Sequence, residues 1–271
     1  MDFDSSTSPE QVKPIQLPTR ILPIKDGSTD KFGDDDYSMR DKPQEEREQY
    51  AKVLEGARAV GENRTRFWNM LVATIGRVGY EPPQDRQTQV LDLGCGRCEE
   101  GIVLSAFFGG NNFGYASDRV KLTGVDISQK DIDRAIQDNQ KADFTKPITT
   151  YNLPPNFEFI VGDATDLSKY PQVPQQADAV VIRHQQISDN TQVWTKIFRQ
   201  ALDRVTPEGI VLITSFSDIE HKMALEALQQ LPCDVVITQA NPHAKPLSHK
   251  EISTDRNIAI VKRKVADTTH K

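Results

Sequence analysis

From Gln89 onward, apolar segments recur along the chain, and stretches with a helical spacing of apolar residues separate most of them. Seven segments have the length and apolar content of strands: QVLDL, VKLTGVD, FEFIVGD, ADAVVIRH, GIVLITSFS, DVVITQA and NIAIVKRK. Between them, the spacing predicts helices at about 97–108, 128–140, 190–205 and 218–231. Since strands that alternate with helices are joined by right-handed crossovers, this order predicts a three-layer α/β sandwich around a mostly parallel sheet.

Three of these segments indicate how the strands are arranged in the sheet. ADAVVIRH is a nearly unbroken apolar run, which is typical of a strand buried on both faces of a parallel sheet. The last two strands are separated by NPHAKPLSHKEISTDR, which contains too many breakers to form a crossover helix. We therefore expect the last two strands to be antiparallel neighbours.

The chain before the first strand divides into an arm and a helical region. Residues 1–42 are rich in Pro, Asp and Ser, and we predict that they form a flexible arm. Apolar spacing then predicts two helices, PQEEREQYAKVLEGARAV and NRTRFWNMLVATIGRVG, with Asn63 as a possible cap of the second. We expect residues 43–80 to be a helical lid and residues 81–271 to be the α/β domain.

Composition restricts the class of protein. Hydrophobic content of 37% and charged content of 27% are typical of a soluble globular protein, and no segment reaches the ~20 apolar residues that cross a bilayer. The acidic start MDFDSSTSPEQ lacks the apolar core of a secretory signal, and three cysteines make no disulfide framework. The net charge of −6 argues against a nucleic-acid-binding surface. We expect a cytoplasmic protein with neither a membrane nor a nucleic acid as partner.

Residues suited to binding adenosine stand where three of the predicted strands end. The first strand runs into the turn DLGCGRC, where Gly94 and Gly96 permit positive φ and close approach of a ligand, ahead of a helix beginning near Arg97 or Cys98. The second and third strands end at Asp126 and Asp163, whose carboxylates could accept hydrogen bonds from ribose hydroxyls and an adenine amino group. Ligands of open α/β sheets bind at the carboxyl ends of the strands. The three strand ends together therefore predict an adenosine-containing ligand.

On these motifs the chain from Gln89 to about Lys264 resembles the class I S-adenosylmethionine-dependent methyltransferases. ADAVVIRHQQIS, at the fourth strand, and VTPEGIVLITSFS, leading into the fifth, add to the likeness. The resemblance implies a Rossmann-like, seven-stranded sheet in the order 3-2-1-4-5-7-6 with strand 7 antiparallel. It also implies S-adenosyl-L-methionine as the cofactor, so residues 81–271 would be the domain that binds it.

The resemblance assigns parts of the cofactor to particular residues. Asp92 and the Gly94–Gly96 turn would face the methionine part, Asp126 would hold the ribose, and Asp163 with Ala164 would hold adenine. The complete predicted set of cofactor-binding residues is Asp92, Leu93, Gly94, Cys95, Gly96, Asp126, Ile127, Asp163, Ala164 and Arg183. Cys98 stands where the family has its third glycine.

Cys95 and Cys98 form the pattern CGRC, which also occurs in redox sites at helix N-termini. No second pair of cysteines exists to complete a Cys₄ zinc site. We favour packing or turn roles for both thiols over redox or metal chemistry, and we predict no metal site.

Two residues at the end of the fourth strand are candidates for function. His184 borders the expected position of the transferred methyl group, where it is either a structural histidine or a general base, and it is our candidate catalytic residue. Arg183 either clamps a carboxylate of a ligand or pairs with an acid such as Glu99. We expect His221 to lie at the surface.

Three functions fit these residues. The first is methyl transfer to a small-molecule or protein acceptor; no NPPY motif or catalytic cysteine follows the fourth strand, so methylation of DNA bases is disfavoured. The second is non-catalytic binding of S-adenosylmethionine. The third is a nicotinamide-dependent oxidoreductase, which is disfavoured because the turn DLGCGRC begins with an acid that would repel a pyrophosphate. The sequence selects neither an acceptor atom nor an oligomeric state.

Overall fold

The structure of the 271-residue chain is a computed structural model that describes residues 44–110, 117–140, 156–247 and 252–264. Contacts divide the chain into two units, Met1–Arg47 and Glu48–Lys271, and the site discussed below lies in the second. The predicted arm at 1–42 falls outside the described residues. Within the described ranges, no helix combines the length and the apolar character needed to cross a membrane.

Helices and strands alternate through the domain. The helices are α1 (Gln44–Ile75), α2 (Gly101–Phe108), α3 (Gln129–Gln140), α4 (Thr191–Arg204) and α5 (Asp218–Leu228). The strands of the main sheet are β1 (Thr88–Leu93), β2 (Val120–Asp126), β3 (Phe157–Val161), β4 (Ala177–Ile182), β5 (Val205–Ser215), β6 (Cys233–Ala240) and β9 (Asn257–Arg263). A separate short ladder pairs β7 (Lys245–Pro246) with β8 (Ser253–Thr254).

The sheet has seven strands in the order β3-β2-β1-β4-β5-β9-β6. The pairs β1–β2, β1–β4, β2–β3 and β4–β5 are parallel, and β9 runs antiparallel to both β5 and β6. The predicted strand order is therefore confirmed, with β9 as the seventh strand. The antiparallel arrangement expected for the last two long strands is confirmed as well.

Apolar side chains cover both faces of the sheet. Leu91 of β1 and Val180 of β4 belong to one buried cluster, which α4 and α5 complete. Val90 of β1 and Val181 of β4 point to the opposite face and belong to a second cluster, which α1 and α2 help to complete. Successive residues of a strand point to opposite faces, so burial of both sets produces the predicted three-layer sandwich.

The N-terminal region differs from the prediction because one helix, α1, replaces the two expected. A glycine inside a helix costs only about 1 kcal/mol relative to alanine, so Gly61 does not break it. The side-chain oxygen of Asn63 accepts a hydrogen bond from Arg66 one turn later and does not cap a new helix. The following turns bury Phe67 and Leu71 completely, which stabilises the continuous helix.

The helix after the first strand also begins later than predicted. α2 begins at Gly101, not near Arg97 or Cys98. Gly96 and Cys98 have φ values of 52° and 51°, which a right-handed helix does not admit. Farther along, His221 is buried and not at the surface, with Nε2 2.7 Å from the Thr238 hydroxyl, and burial lowers the pKa of its imidazole.

Candidate active site

The turn after β1 lies against the end of β2. The backbone N–H groups of Gly94 and Cys95 both donate to the carbonyl oxygen of Val125, at 2.8 and 3.2 Å. Gly94 has φ +74° and Gly96 has φ +52°, and a Cβ added to either would meet no atom within 4 Å. The turn therefore presents its backbone to open space, as a cradle for a ligand requires.

Asp126 joins the end of β2 to this turn. One carboxylate oxygen accepts the backbone N–H of Gly96 at 2.8 Å, and the other accepts the N–H of Ser128 at 2.7 Å. The neighbouring Ile127 side chain is 77% exposed. The structure thus places the predicted ribose-binding acid directly beside the glycine turn.

The third strand end is connected to the second. The N–H of Gly162 donates to the carbonyl oxygen of Asp126 at 2.9 Å, and Asp163 is the next residue. The Asp163 carboxylate is exposed and accepts the N–H of Thr165 at 2.8 Å, a hydrogen bond that lowers the pKa of this carboxyl. Ala164, the next residue, is half-buried. The three strand ends named from the sequence therefore meet at one edge of the sheet.

Asp92 lies at the bottom of the same turn and is completely buried. Its Oδ1 has no hydrogen-bond partner, and its Oδ2 lies 3.7 Å from the Cys98 sulfur. Burial, together with the nearby Glu100 carboxylate, raises the pKa of Asp92 well above its ordinary value. A buried carboxylate with an unpaired oxygen is costly unless a ligand uses it, so this position suits a cationic group.

The two cysteines of the turn are packed into gaps left by glycines. A Cβ on Gly124 would lie 2.8 Å from the Cys95 sulfur, and a Cβ on Gly101 would lie 2.9 Å from the Cys98 sulfur. The hydrogen bond that the Cys98 thiol donates to Cys95, together with burial, raises the pKa of Cys98 well above its ordinary value. A thiol in this state is a poor nucleophile and metal ligand, which favours the packing role. In the described ranges no cluster of three or more His, Cys, Asp or Glu is arranged for a metal.

A cavity of about 340 Å³ opens beside the turn. It brings together three groups of residues: the turn itself, the acids Glu99, Glu100 and Asp131, and Arg183 with His184 from the end of β4. Asn63 of α1 completes the wall. The cavity therefore places the predicted catalytic histidine near the predicted cofactor turn.

Arg183 has partners that sequence reasoning missed. Its guanidinium donates to both carboxylate oxygens of Asp255, at 2.9 and 2.7 Å, and Nη1 lies 3.4 Å from Glu100. Arg183 thus pairs with acids, as one of the two alternatives predicted, but the acids are Asp255 and Glu100 and not the Glu99 named as the example. The guanidinium also lies over the Phe67 ring of α1, 4.0 Å from the ring centroid. Burial alone would lower the pKa of Arg183, but Asp255 and Glu100 raise it above its ordinary value.

Asp255 precedes β9 and is completely buried. Besides the two bonds from Arg183, it accepts the Thr214 hydroxyl at 2.8 Å and lies 2.8 Å from Nη2 of Arg66. Burial opposes ionisation, yet Arg183 and His184 hold the pKa of Asp255 well below its ordinary value. Asp255 is therefore an ionised acceptor shared by α1, β4 and β5.

His184 is held from two sides. Its ring stacks on Phe216, with centroids 4.5 Å apart and planes inclined by 21°. Its Nε2 lies 2.9 Å from Oδ1 of Asp255, although the N–H is not aligned with that oxygen as a regular hydrogen bond requires. The residue has a φ of 58°, a left-handed conformation that few non-glycine residues adopt. Its backbone is thus strained at the point where its side chain meets the cavity.

Comparison with known proteins agrees with this geometry. A family described as methyltransferase domain matches residues 84–262, which is more than half of the chain. The protein belongs to this family. It is a methyltransferase with S-adenosylmethionine as its cofactor, as the sequence predicted, and the nicotinamide alternative is not supported.

Several solved structures resemble this methyltransferase at low sequence identity. TrmN from Thermus thermophilus is 13% identical, with a TM-score of 0.47 over 66% of this chain; only 44% of the TrmN chain is spanned. Magnesium protoporphyrin IX methyltransferase from Synechocystis, solved with S-adenosylmethionine bound, is 16% identical, with a TM-score of 0.49 over 75% of this chain and 80% of its own. A TehB-like S-adenosylmethionine-dependent methyltransferase from Corynebacterium glutamicum is 17% identical, with a TM-score of 0.48 over 80% of this chain and 97% of its own. A search of curated proteins found no match.

Proposed function

We propose that the methyltransferase transfers the methyl group of S-adenosylmethionine to a small-molecule acceptor, with His184 as the general base. The observation that carries this proposal is the cavity of about 340 Å³ between the glycine turn and His184. The Gly94–Gly96 turn lines the same cavity, so the methionine part of the cofactor and the acceptor would share its volume, which lies at the lower end of the range for small-molecule sites. The limited room then left beside His184, among charged side chains, suits a compact polar acceptor.

The residues around the turn fit the cofactor. Gly94 and Gly96 leave open space beside the backbone, and Asp92 offers an unpaired carboxylate oxygen for a cationic group. Each oxygen of Asp126 accepts one backbone N–H and retains lone pairs for ribose hydroxyls. S-adenosylmethionine, when bound, supplies an activated methyl group and its own leaving group.

Adenine would lie beyond the ribose, toward the end of β3. Asp163 would accept a hydrogen bond from the adenine amino group, since its carboxylate is exposed, and the Ala164 backbone would lie alongside. The exposed Ile127 side chain would gain burial against the ring. Nε and Nη2 of Arg183 already bind Asp255. A contact between Arg183 and the cofactor would therefore involve Nη1, which faces Glu100.

The protein's remaining tasks are to orient the acceptor, exclude water and accept a proton. A general base is needed when the acceptor atom carries a proton and is a poor nucleophile without its removal. His184 is suited to this task because it lies in the cavity wall and its side chain is 25% exposed.

α1 acts in this proposal as the lid over the acceptor. It contributes Asn63 to the cavity, and Nε of Arg64 donates to the carbonyl oxygen of Glu99 at 3.0 Å, next to the turn. Lys245, in the segment before β9, lies 2.9 Å from Glu62 of the same helix. The helix is thus attached to both sides of the site, as a cover that excludes water would be.

The test is an acceptor screen with S-adenosylmethionine carrying a radiolabelled methyl group. The full-length protein is incubated with separate small-molecule, protein and RNA fractions of a cell extract. We expect label in the small-molecule fraction, and its transfer to protein or RNA instead would overturn the proposal.

Once an acceptor is found, His184→Gln tests the base. We expect kcat to fall by about 10²–10⁴-fold while the Kd of S-adenosylmethionine stays unchanged. The control is His243→Gln, since His243 is a partly exposed histidine outside the cavity wall, near the β7–β8 ladder. An unchanged kcat in His184→Gln would remove His184 from the chemistry.

A further inference from the structure

The contact between His184 and Asp255 has a chemical consequence, because one partner can only accept hydrogen bonds. Nε2 of His184 lies 2.9 Å from Oδ1 of Asp255. An ionised carboxylate has no proton to donate, so a neutral imidazole beside it is stabilised when the facing nitrogen carries the hydrogen. Nδ1 is then the nitrogen with the free lone pair.

Asp255 is itself rigidly held, as a group that orients a ring must be. Its carboxylate receives the two N–H bonds of Arg183 and the hydroxyl of Thr214, and its backbone carbonyl accepts the side-chain amide of Asn241 at 2.8 Å. Arg66 adds a second positive charge at 2.8 Å. The carboxylate therefore cannot rotate away from His184 without losing several charge-assisted bonds.

Besides its contact with Asp255, the ring of His184 is held by stacking on Phe216. Both members of the contact also have left-handed backbones, with φ of 58° at His184 and 49° at Asp255. Such conformations are unfavourable for non-glycine residues and persist where the surroundings impose them, commonly at active sites. The fold thus maintains two strained residues whose side chains meet at the wall of the cavity.

We propose that Asp255 is the positioning residue of His184: it holds the ring in the cavity wall with hydrogen on Nε2 and leaves Nδ1 to accept the proton of the acceptor. This inference rests on the proposed role of His184 as the base. In the step it supports, the Nδ1 lone pair forms a new N–H bond with the acceptor's proton. The electron pair of the broken bond stays on the acceptor atom, which becomes the nucleophile, and the imidazolium formed is stabilised by the Asp255 carboxylate.

The contact is poorly aligned in this structure, which is consistent with the proposal. Hydrogen bonds of catalytic groups are often long or bent before the reactants bind and tighten in the complex. Nε2 has no regular hydrogen-bond partner among the described residues, and Oδ1 of Asp255 lies only 2.9 Å away. We therefore expect Nε2–H to donate to Asp255 when the reactants are bound.

The first test reads the tautomer directly in the full-length protein. Two-bond ¹H–¹⁵N correlation spectra of protein labelled with ¹⁵N-histidine distinguish the two neutral forms, and the spectrum of His184→Gln identifies the signals of His184. We expect hydrogen on Nε2 at a pH where the ring is neutral. Hydrogen on Nδ1 would overturn the proposal, and this result does not depend on any acceptor being known.

The second test uses Asp255→Asn, with Asp218→Asn as its matched control. Asp218 is also held by an arginine fork, from Arg256 at 2.8 and 2.7 Å, but it lies on the surface at the start of α5. We expect Asp255→Asn to give a mixture of tautomers and to lower kcat by about 10²-fold, with the Kd of S-adenosylmethionine within about threefold of wild type. Asp218→Asn should leave all three values unchanged.

A purely structural role for Asp255 would instead lower the melting temperature and weaken cofactor binding while the tautomer stayed the same, which would overturn the proposal. If Asp255→Asn does not fold, the wild-type tautomer decides. The proposed function fails separately, since an unchanged kcat in His184→Gln would remove the base whatever tautomer the spectra show.

Discussion

Replacement of Gly96 by alanine separates the two demands that the turn places on this residue, its backbone conformation and the space beside it. Gly96 has a φ of +52°, and a Cβ added there would meet no protein atom within 4 Å. Gly79 offers a matched control, because its φ is +62° and a Cβ there also meets nothing within 4 Å. Gly96 lies in the cavity wall, whereas Gly79 follows α1 and is not among the lining residues.

The expected magnitudes follow from this pairing. An L-residue in the left-handed region costs roughly 1–2 kcal/mol, so both variants should unfold about 2–8 °C below wild type. Only Gly96→Ala adds a methyl group where the cofactor would approach the backbone. Overpacking costs typically 1–3 kcal/mol, which corresponds to an increase of about 5- to 150-fold in the Kd of S-adenosylmethionine.

Thermal unfolding and titration calorimetry with S-adenosylmethionine measure the two effects separately on the same samples. We expect similar melting temperatures for the two variants and a higher Kd for Gly96→Ala alone. Equal and unchanged Kd values would show that the turn is not the cradle of the cofactor. An equal loss of binding in Gly79→Ala would show that the effect arises from stability and not from the lost space.

Two carboxylates near the turn give further predictions. Asp126→Ala removes the acceptor of the Gly96 and Ser128 N–H groups, and calorimetry should show that the Kd of S-adenosylmethionine rises by about 10- to 150-fold. The control is Asp133→Ala, which replaces an exposed acid of α3 and should leave the Kd unchanged. An equal loss of binding in the control would refute a specific role for Asp126. Burial raises the pKa of Asp92, so the folded protein favours the protonated form of this carboxyl. The contribution of Asp92 to the free energy of unfolding is therefore full below the ordinary pKa near 3.9 and is lost as the pH rises through the raised value. In urea unfolding, Asp92→Asn should therefore become more stable than wild type by roughly 1–3 kcal/mol at pH 8, and a difference that does not grow between pH 5 and pH 8 would contradict the assignment.

The sheet and its ligand-binding edge could be predicted because they depend on local patterns. Each buried strand has an apolar run of its own, and parallel strands present their carboxyl ends at one edge, so the sequence alone predicts that Asp126 and Asp163 lie near the Gly94–Gly96 turn. The hydrogen bonds from Gly94 to Val125 and from Gly162 to Asp126 join these ends as that rule requires. The same residues predict an adenosine-containing ligand, and the resemblance to the methyltransferases identifies that ligand as S-adenosylmethionine.

The details that sequence reasoning missed depend on contacts between distant residues. Gly61 and Asn63 look like a break between helices, but burial of Phe67 favours one continuous α1. Arg183 and Asp255 are 72 residues apart, and no spacing rule joins an acid in a loop to the arginine that ends a strand. A buried Arg requires an acidic partner, so an Arg directly after an apolar strand is the signal in the sequence. The sequence does not say which acid is the partner, because that depends on the fold.

The distribution of backbone strain supports the same site independently of the motifs. Within the described ranges, the non-glycine residues with positive φ are Cys98, His184 and Asp255. They belong to three separate loops, yet Cys98 lies against Asp92 under the turn, while His184 and Asp255 meet at the cavity wall. Three such conformations together cost several kcal/mol, a large share of the 5–15 kcal/mol by which a typical domain is stable. We infer that the strain at His184 and Asp255 serves the proposed positioning of the ring, whereas at Cys98 it accompanies the packing of the turn around Asp92.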